Sequence, residues 1–168
     1  SAEKALQLAD ALAAFLDEST IEQTDLSLLK NLVPDTFAAH WQETLKFLEI
    51  ITAMWPAILK EEGVIDAADR QVRLFKAQAD YWRENPPPHP IIAAGSTGSQ
   101  PATAGLLDAI ASLPNGMVIL PGLDLVSDNE TFAAIEPSHP QYHLKRLLER
   151  MGIAREEVGE FGQKAADS

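Results

Sequence analysis

The chain has 168 residues, 46% hydrophobic and 23% charged, with a formal net charge of −12 from 25 acids and 13 bases. Such a composition supports a globular core, but the acidity disfavours autonomous binding of a polyanion unless bases cluster locally. With no cysteine, disulfides, thiolate metal sites and thiol nucleophiles are excluded. No apolar run approaches the roughly 20 residues that span a bilayer, no basic-then-apolar signal segment opens the chain, and the expected compartment is the cytoplasm.

Ala5, Leu8, Ala9, Leu12, Phe15 and Leu16 recur at helical spacing, which predicts an amphipathic helix over 1–18 with one buried stripe. Its abrupt start, with no initiator methionine, suggests a piece of a longer polypeptide. Leu26, Leu29, Leu32 and Val33 predict a short helix stopped by Pro34. Asp35 can cap a helix whose stripe runs Phe37, Trp41, Leu45, Leu48, Ile51 and Trp55, kinked or ended at Pro56 and closed by Gly63. Asp66 then caps a helix with the stripe Ala68, Val72, Phe75, Ala79 and Trp82, ending at Asn85-Pro86. The tryptophans, on stripes with aliphatic neighbours, read as core aromatics.

Four prolines in the five positions Pro86 to Pro90 forbid helix and force an extended connector. Beyond it, Ile91–Ala94 is short and uniformly apolar, a buried strand, and Met117–Leu120 is a second. Between them lies a Gly/Ser/Thr loop, Gly95–Ser99, and a helix with Ser99 as cap, Pro101 in the first turn and the stripe Leu106, Leu107, Ile110 and Leu113. Parallel pairing through a crossover is the default for that order. Pro121–Glu130 reads as loop, Thr131–Ile135 as a helical turn, and Pro140–Met151 as a helix with Leu144, Leu147, Leu148 and Met151 on one face, ended by Gly152. The fold class is therefore α/β, predominantly helical: a helical lobe (1–85), a proline connector (86–90), and a small α/β lobe (91–168) with parallel strands and a C-terminal helix.

Chemistry centres on the loop. A glycine-rich turn entering a helix N-terminus can offer backbone donors to an anion. Gly95, Ser96, Thr97, Gly98 and Ser99 are the candidate anion or nucleotide contacts, yet no Lys-Ser/Thr pair follows them, and Ala93 and Ala94 stand at the strand end where a magnesium-holding acid would be needed. Asp124, past the second strand, lacks a partner carboxylate and reads as a turn residue. His139 and His143 stand four apart, but Pro140 puts the first at or before the helix start and no third ligand accompanies them, so no metal is expected. His143, Lys145, Arg146, Arg150 and Arg155 form the one local basic concentration; on the exposed flanks of their helix they read as a solvated face or as contacts to DNA phosphate or an acidic partner, with Lys145, Arg146 and Arg150 the candidate contacts. No nucleophile–histidine–acid order is evident, so no catalytic residue is assigned.

The stretch PIIAAGSTGSQPATAGLLDAIASLPNGMVILPGLD (Pro90–Asp124) resembles the alphaproteobacterial form of the AddB family, as do HWQETLKFLEIITAMWPAILKEEG (His40–Gly63) and SHPQYHLKRLLERMG (Ser138–Gly152). AddB is one subunit of the AddAB ATP-dependent helicase–nuclease, which processes double-strand DNA breaks for recombinational repair. The resemblance implies an internal segment of the helicase-like half, built on a superfamily 1 scaffold. There Pro101 matches the proline after the polar loop, Ala94 and Gly95 stand where an Asp-Glu pair would be, and Asp124 lies near a polar, phosphate-sensing position. It implies that the motor chemistry is lost here, that the AddA subunit is the partner and motor, and that the inactive scaffold handles single-stranded DNA within the complex. ATP and magnesium would belong to the parent complex, and the exonuclease site with its iron–sulfur cluster to another part of the family, so this segment would carry no cofactor. Two other readings stay open: a small nucleotide- or anion-binding α/β module using Gly95–Ser99, and a helical protein-interaction domain.

Overall fold

The computed structural model describes residues 2–31 and 48–161. It is predominantly helical, with one two-stranded parallel sheet, as the α/β pattern leads one to expect. The chain divides into two compact units, Ser1–Arg73 and Leu74–Ser168.

In the first unit, α1 spans Ala2–Ile21. Its apolar stripe is not buried among the described residues: Leu8 and Phe15 are exposed, and only Leu12 and Leu16 are half-covered. Periodicity tells which side of a helix is apolar, not whether a neighbour covers it. The short helix expected from Leu26 is a 3₁₀ helix over Leu26–Asn31, more tightly wound than an α-helix. The stop at Pro34, the cap at Asp35 and the stripe Phe37, Trp41, Leu45 lie outside the described residues.

The helical run continues past Pro56 through Ala57–Lys60, but it changes type just before the proline. A π-helical turn, Ile50–Met54, precedes α2 (Trp55–Glu62), so the proline occupies the first turn of a new α-helix, where its missing N–H costs nothing. Gly63 closes α2 in the left-handed conformation, φ 65°. Ile51 is buried, but Trp55 is exposed, and its Nε1 donates to Asp66 Oδ2 at 2.9 Å. An indole at the end of a stripe thus binds a carboxylate instead of filling a core. In α3 (Ala67–Glu84), Ala68 and Val72 are buried within this unit.

The second unit is built on β1 (Ile91–Ala94) and β2 (Gly116–Ile119), paired in parallel from Ile91 opposite Gly116 to Ala94 opposite Ile119. The ladder is extended by hydrogen bonds from Ile91 N–H to Asn115 O and from Gly95 N–H to Ile119 O, both 3.0 Å. β2 starts one residue earlier than the apolar run suggests. Its first position must be glycine, because a Cβ there would stand 1.7 Å from the carbonyl oxygen of Ile110. The connecting helix, α4 (Pro101–Ala111), lies on one face of the sheet together with α6 (Tyr142–Met151).

Ala104, Leu107 and Leu147 form the centre of that layer, with Ala93, Val118, Leu120 and Met151 packed against it. Leu144 and Leu147 are 2% and 1% exposed; burial of a leucine side chain contributes about 1.5–3 kcal/mol. Arg83, near the end of α3, donates to the Gly105 carbonyl (3.3 Å) and pairs with Asp108 (3.0 Å), joining that helix end to α4. A short helix, α5 (Asn129–Ala133), follows β2 after an irregular segment and is capped by Asp128, whose Oδ1 accepts from Thr131 N–H at 2.8 Å. Gly152, φ 65°, ends α6 as expected.

Candidate functional site

In a parallel α/β sheet, ligands bind beyond the carboxyl ends of the strands. Two loops meet that description here, residues 95–100 after β1 and residues 120–128 after β2.

The first loop is a compact turn. Gly95 and Gly98 adopt φ 78° and 63°, which only glycine takes without strain. Gly98 is buried, and a Cβ on it would stand 3.1 Å from both Leu147 methyls; Gly95 has open space around it. Ser96 Oγ accepts the Gly98 N–H at 3.3 Å.

The expected cap at Ser99 is not observed. The N-cap is Gln100, in the extended region with no side-chain cap bond, and Ser99 is exposed. Pro101 explains the shift, since its fixed φ and absent N–H suit the first helical position and so place the cap immediately before it. Several donors that an anion cradle would use are consequently spent or missing. Gly95 N–H closes the sheet ladder, Gly98 N–H is held by Ser96, and Pro101 has none.

The second loop is held in place by residues distant in sequence. Asp124 Oδ1 accepts from Val126 N–H (2.8 Å) and Ser127 N–H (3.1 Å). The hydrogen bonds from Ser127, then from Val126, hold the carboxyl pKa down at about 2, with Arg155 adding to the effect. Gln141 clamps the same backbone from the start of α6: its Nε2 donates to Gly122 O at 2.9 Å and its Oε1 accepts from Asp124 N–H at 3.0 Å. Arg155 donates to Asp124 O, Ser127 O, Ser127 Oγ and Asn129 Oδ1, with its guanidinium 4.7 Å from the Phe132 ring centroid. Asp124 is thus a turn residue with its near-side acceptor occupied, not a free carboxylate.

The candidate cations part company. Lys145 Nζ donates to the carbonyls of Ala133 and Ile135, closing the C-terminal end of α5. Arg146 is exposed and pairs with Glu149 at 3.3 Å. Arg150 lies against α4, its guanidinium filling the space a Cβ on Gly105 would need. Arg146 and Arg150 share an open groove of about 440 Å³ with Gly98, Ser99, Pro101 and Ala104. The structure therefore brings Gly98 and Ser99 together with two of the three cations, while Gly95, Ser96, Thr97 and Lys145 do not line that groove.

His139 Nδ1 accepts the Gln141 N–H at 3.1 Å, and no group of three or more His, Cys, Asp or Glu is placed to hold a metal among the described residues. None of the described helices is long and apolar enough to cross a membrane. Gln141 and Arg155, which set the second loop, carry no local sequence signal; their partners lie 17 to 31 positions away. A scan against protein-family models and searches of curated proteins and of solved structures return no match.

Proposed function

We propose that this chain is a non-catalytic, helicase-like segment of an AddB-type subunit in a DNA double-strand break repair helicase–nuclease. In that role it supports an AddA-type motor subunit and the path of DNA, in the cytoplasm. The observation that carries the reading is the strand–loop–helix–strand unit with its chemical positions empty. Ala94 and Gly95 end β1 without a carboxylate, and Gly95 N–H and Gly98 N–H are engaged within the protein.

Magnesium and ATP, which such a complex uses, do not fit the residues here. The nearest acid beyond the strands, Asp124, is committed to its own turn, and no lysine follows the glycines. The parts of this chain that support contact with a DNA backbone are Arg150 and Arg146 beside Ser99, although Glu149, which pairs with Arg146, lines the same groove and offsets part of their charge. In a chain of net charge −12 two arginines favour a contact made within a larger assembly over binding by the chain alone.

Steady-state hydrolysis of ATP with magnesium tests the assignment. The chain is expected to show no turnover above buffer, unchanged by Ser96→Ala, Thr97→Ala and Ser99→Ala. Hydrolysis abolished by those substitutions would establish the nucleotide-binding alternative.

A further inference from the structure

Asn115-Gly116 is the one Asn-Gly pair in the chain, and the fold fixes each half of it. Gly116 opens β2 against the end of α4, where a Cβ would stand 1.7 Å from the Ile110 carbonyl oxygen, so no other residue fits. Asn115 joins two segments distant in sequence. Its Nδ2 donates to Pro88 O in the proline connector at 3.3 Å, and its carbonyl accepts the Ile91 N–H at 3.0 Å where the β1–β2 ladder begins.

The same pair is chemically labile. The backbone nitrogen that follows an asparagine can attack the side-chain amide carbon, and a glycine there has no Cβ to hinder the approach. The folded chain holds every participant in that reaction. The attacking nitrogen, Gly116 N, donates its proton to Leu113 O at 3.1 Å and must lose it before it can react. The side-chain amide is tied to Pro88 and must swing away, while the carbonyl of the intervening peptide unit is tied to Ile91.

We propose that Asn115 is a modification site gated by opening of the β1–β2 junction: the Gly116 nitrogen deamidates it when these bonds open, and it is protected while they hold. The Gly116 N–Cγ bond forms, the Cγ–Nδ2 bond breaks, and ammonia leaves with the amide proton, giving a succinimide. Water then opens the ring at Cγ to leave aspartate, or at the Asn115 backbone carbonyl carbon to leave isoaspartate. Neither product restores the junction. A carboxylate has no donor for Pro88 O, and isoaspartate carries the chain through Cγ, adding a methylene ahead of Gly116. The change is irreversible and marks a chain whose sheet has opened. This site stands independently of the repair reading.

The test follows deamidation by peptide mass mapping in the full 168-residue chain and in the synthetic peptide Leu-Pro-Asn-Gly-Met-Val, each with and without guanidinium chloride. In buffer the chain should react at least about tenfold more slowly than the peptide, because a reaction through an open state is slowed in proportion to how rarely that state forms. In denaturant the two should agree. Hydrogen exchange at the Gly116 amide reads the same opening, so its protection factor should match the retardation within about threefold. Ile91→Pro removes the donor to Asn115 O at the first position of a strand, where proline is tolerated, and should raise both rates together. Should that variant not fold, low concentrations of denaturant open the junction in the parent chain, and the two rates should rise in the same proportion. Equal rates for chain and peptide in buffer, or a protected Gly116 amide without slowed deamidation, would overturn the proposal. So would a deamidated chain that keeps the parent's protection at the Ile91 amide.

Discussion

Gly98→Ala compared with Gly95→Ala separates a glycine fixed by packing from one fixed by its backbone conformation alone. Both residues sit at positive φ, where a Cβ costs roughly 1–2 kcal/mol. At Gly95 nothing lies within 4 Å of the added methyl, so about 1–2 kcal/mol is the whole effect. At Gly98 the methyl would meet Leu147 Cδ1 and Cδ2 at 3.1 Å and Leu107 Cδ1 at 3.4 Å. Leu147 is 1% exposed and cannot swing away without opening the layer between α4 and α6. Overpacking a filled core adds about 1–3 kcal/mol, so Gly98→Ala should cost about 2–5 kcal/mol in all. Urea unfolding followed by circular dichroism at the helical band measures both variants against the parent chain. Equal losses for the two, or a Gly98→Ala variant as stable as the parent, would refute the claim that Gly98 is fixed by its contact with Leu147.

Arg155→Ala removes the guanidinium that holds residues 124–129 and lies over Phe132, and should cost about 1.5–3 kcal/mol. Hydrogen exchange should accelerate most at Val126 to Thr131, and Arg155→Lys should restore little, because a single ammonium cannot serve those acceptors together. The depressed pKa of Asp124 means the folded state favours its ionised form. Its stabilising contribution is complete above the ordinary carboxylate pKa of 3.8 and is lost as pH falls through about 2. Asp124→Asn should therefore flatten the acid side of a pH–stability profile between pH 4 and pH 2, leaving the part set by Asp25, Asp128 and Glu156, whose pKa values are also lowered. An unchanged acid limb would show that Asp124 is not ionised in its turn.

Local chemistry accounts for the parts of the fold that were legible in the sequence. Ile91–Ala94 is bounded by a proline and a glycine, so its limits could be read directly; Pro101 and Gly152 marked a helix start and a helix end for the same reason. The leucines of α6 were legible because all three that are buried, Leu144, Leu147 and Leu148, lie on one helical face. Where the outcome depends on what stands opposite, the sequence is silent. The stripe of α1 is apolar but uncovered among the described residues, and Trp55 continues a stripe yet reaches Asp66. Ser99 lost the cap to Gln100 because the proline, not the serine, sets the first turn. At the site, the glycines were visible, but the tasks of Lys145 and Arg155 were not. Whether a cation on a helix flank meets solvent or a carbonyl ten or more residues away is decided by tertiary placement alone.

The role proposed for this chain is that of a frame supporting a motor on another subunit. Sedimentation velocity of the chain with a purified AddA-type subunit tests it most directly. The account predicts a complex that forms at micromolar concentration and is unaffected by adding ATP with magnesium to the chain beforehand. Two independently sedimenting species across that range would contradict it.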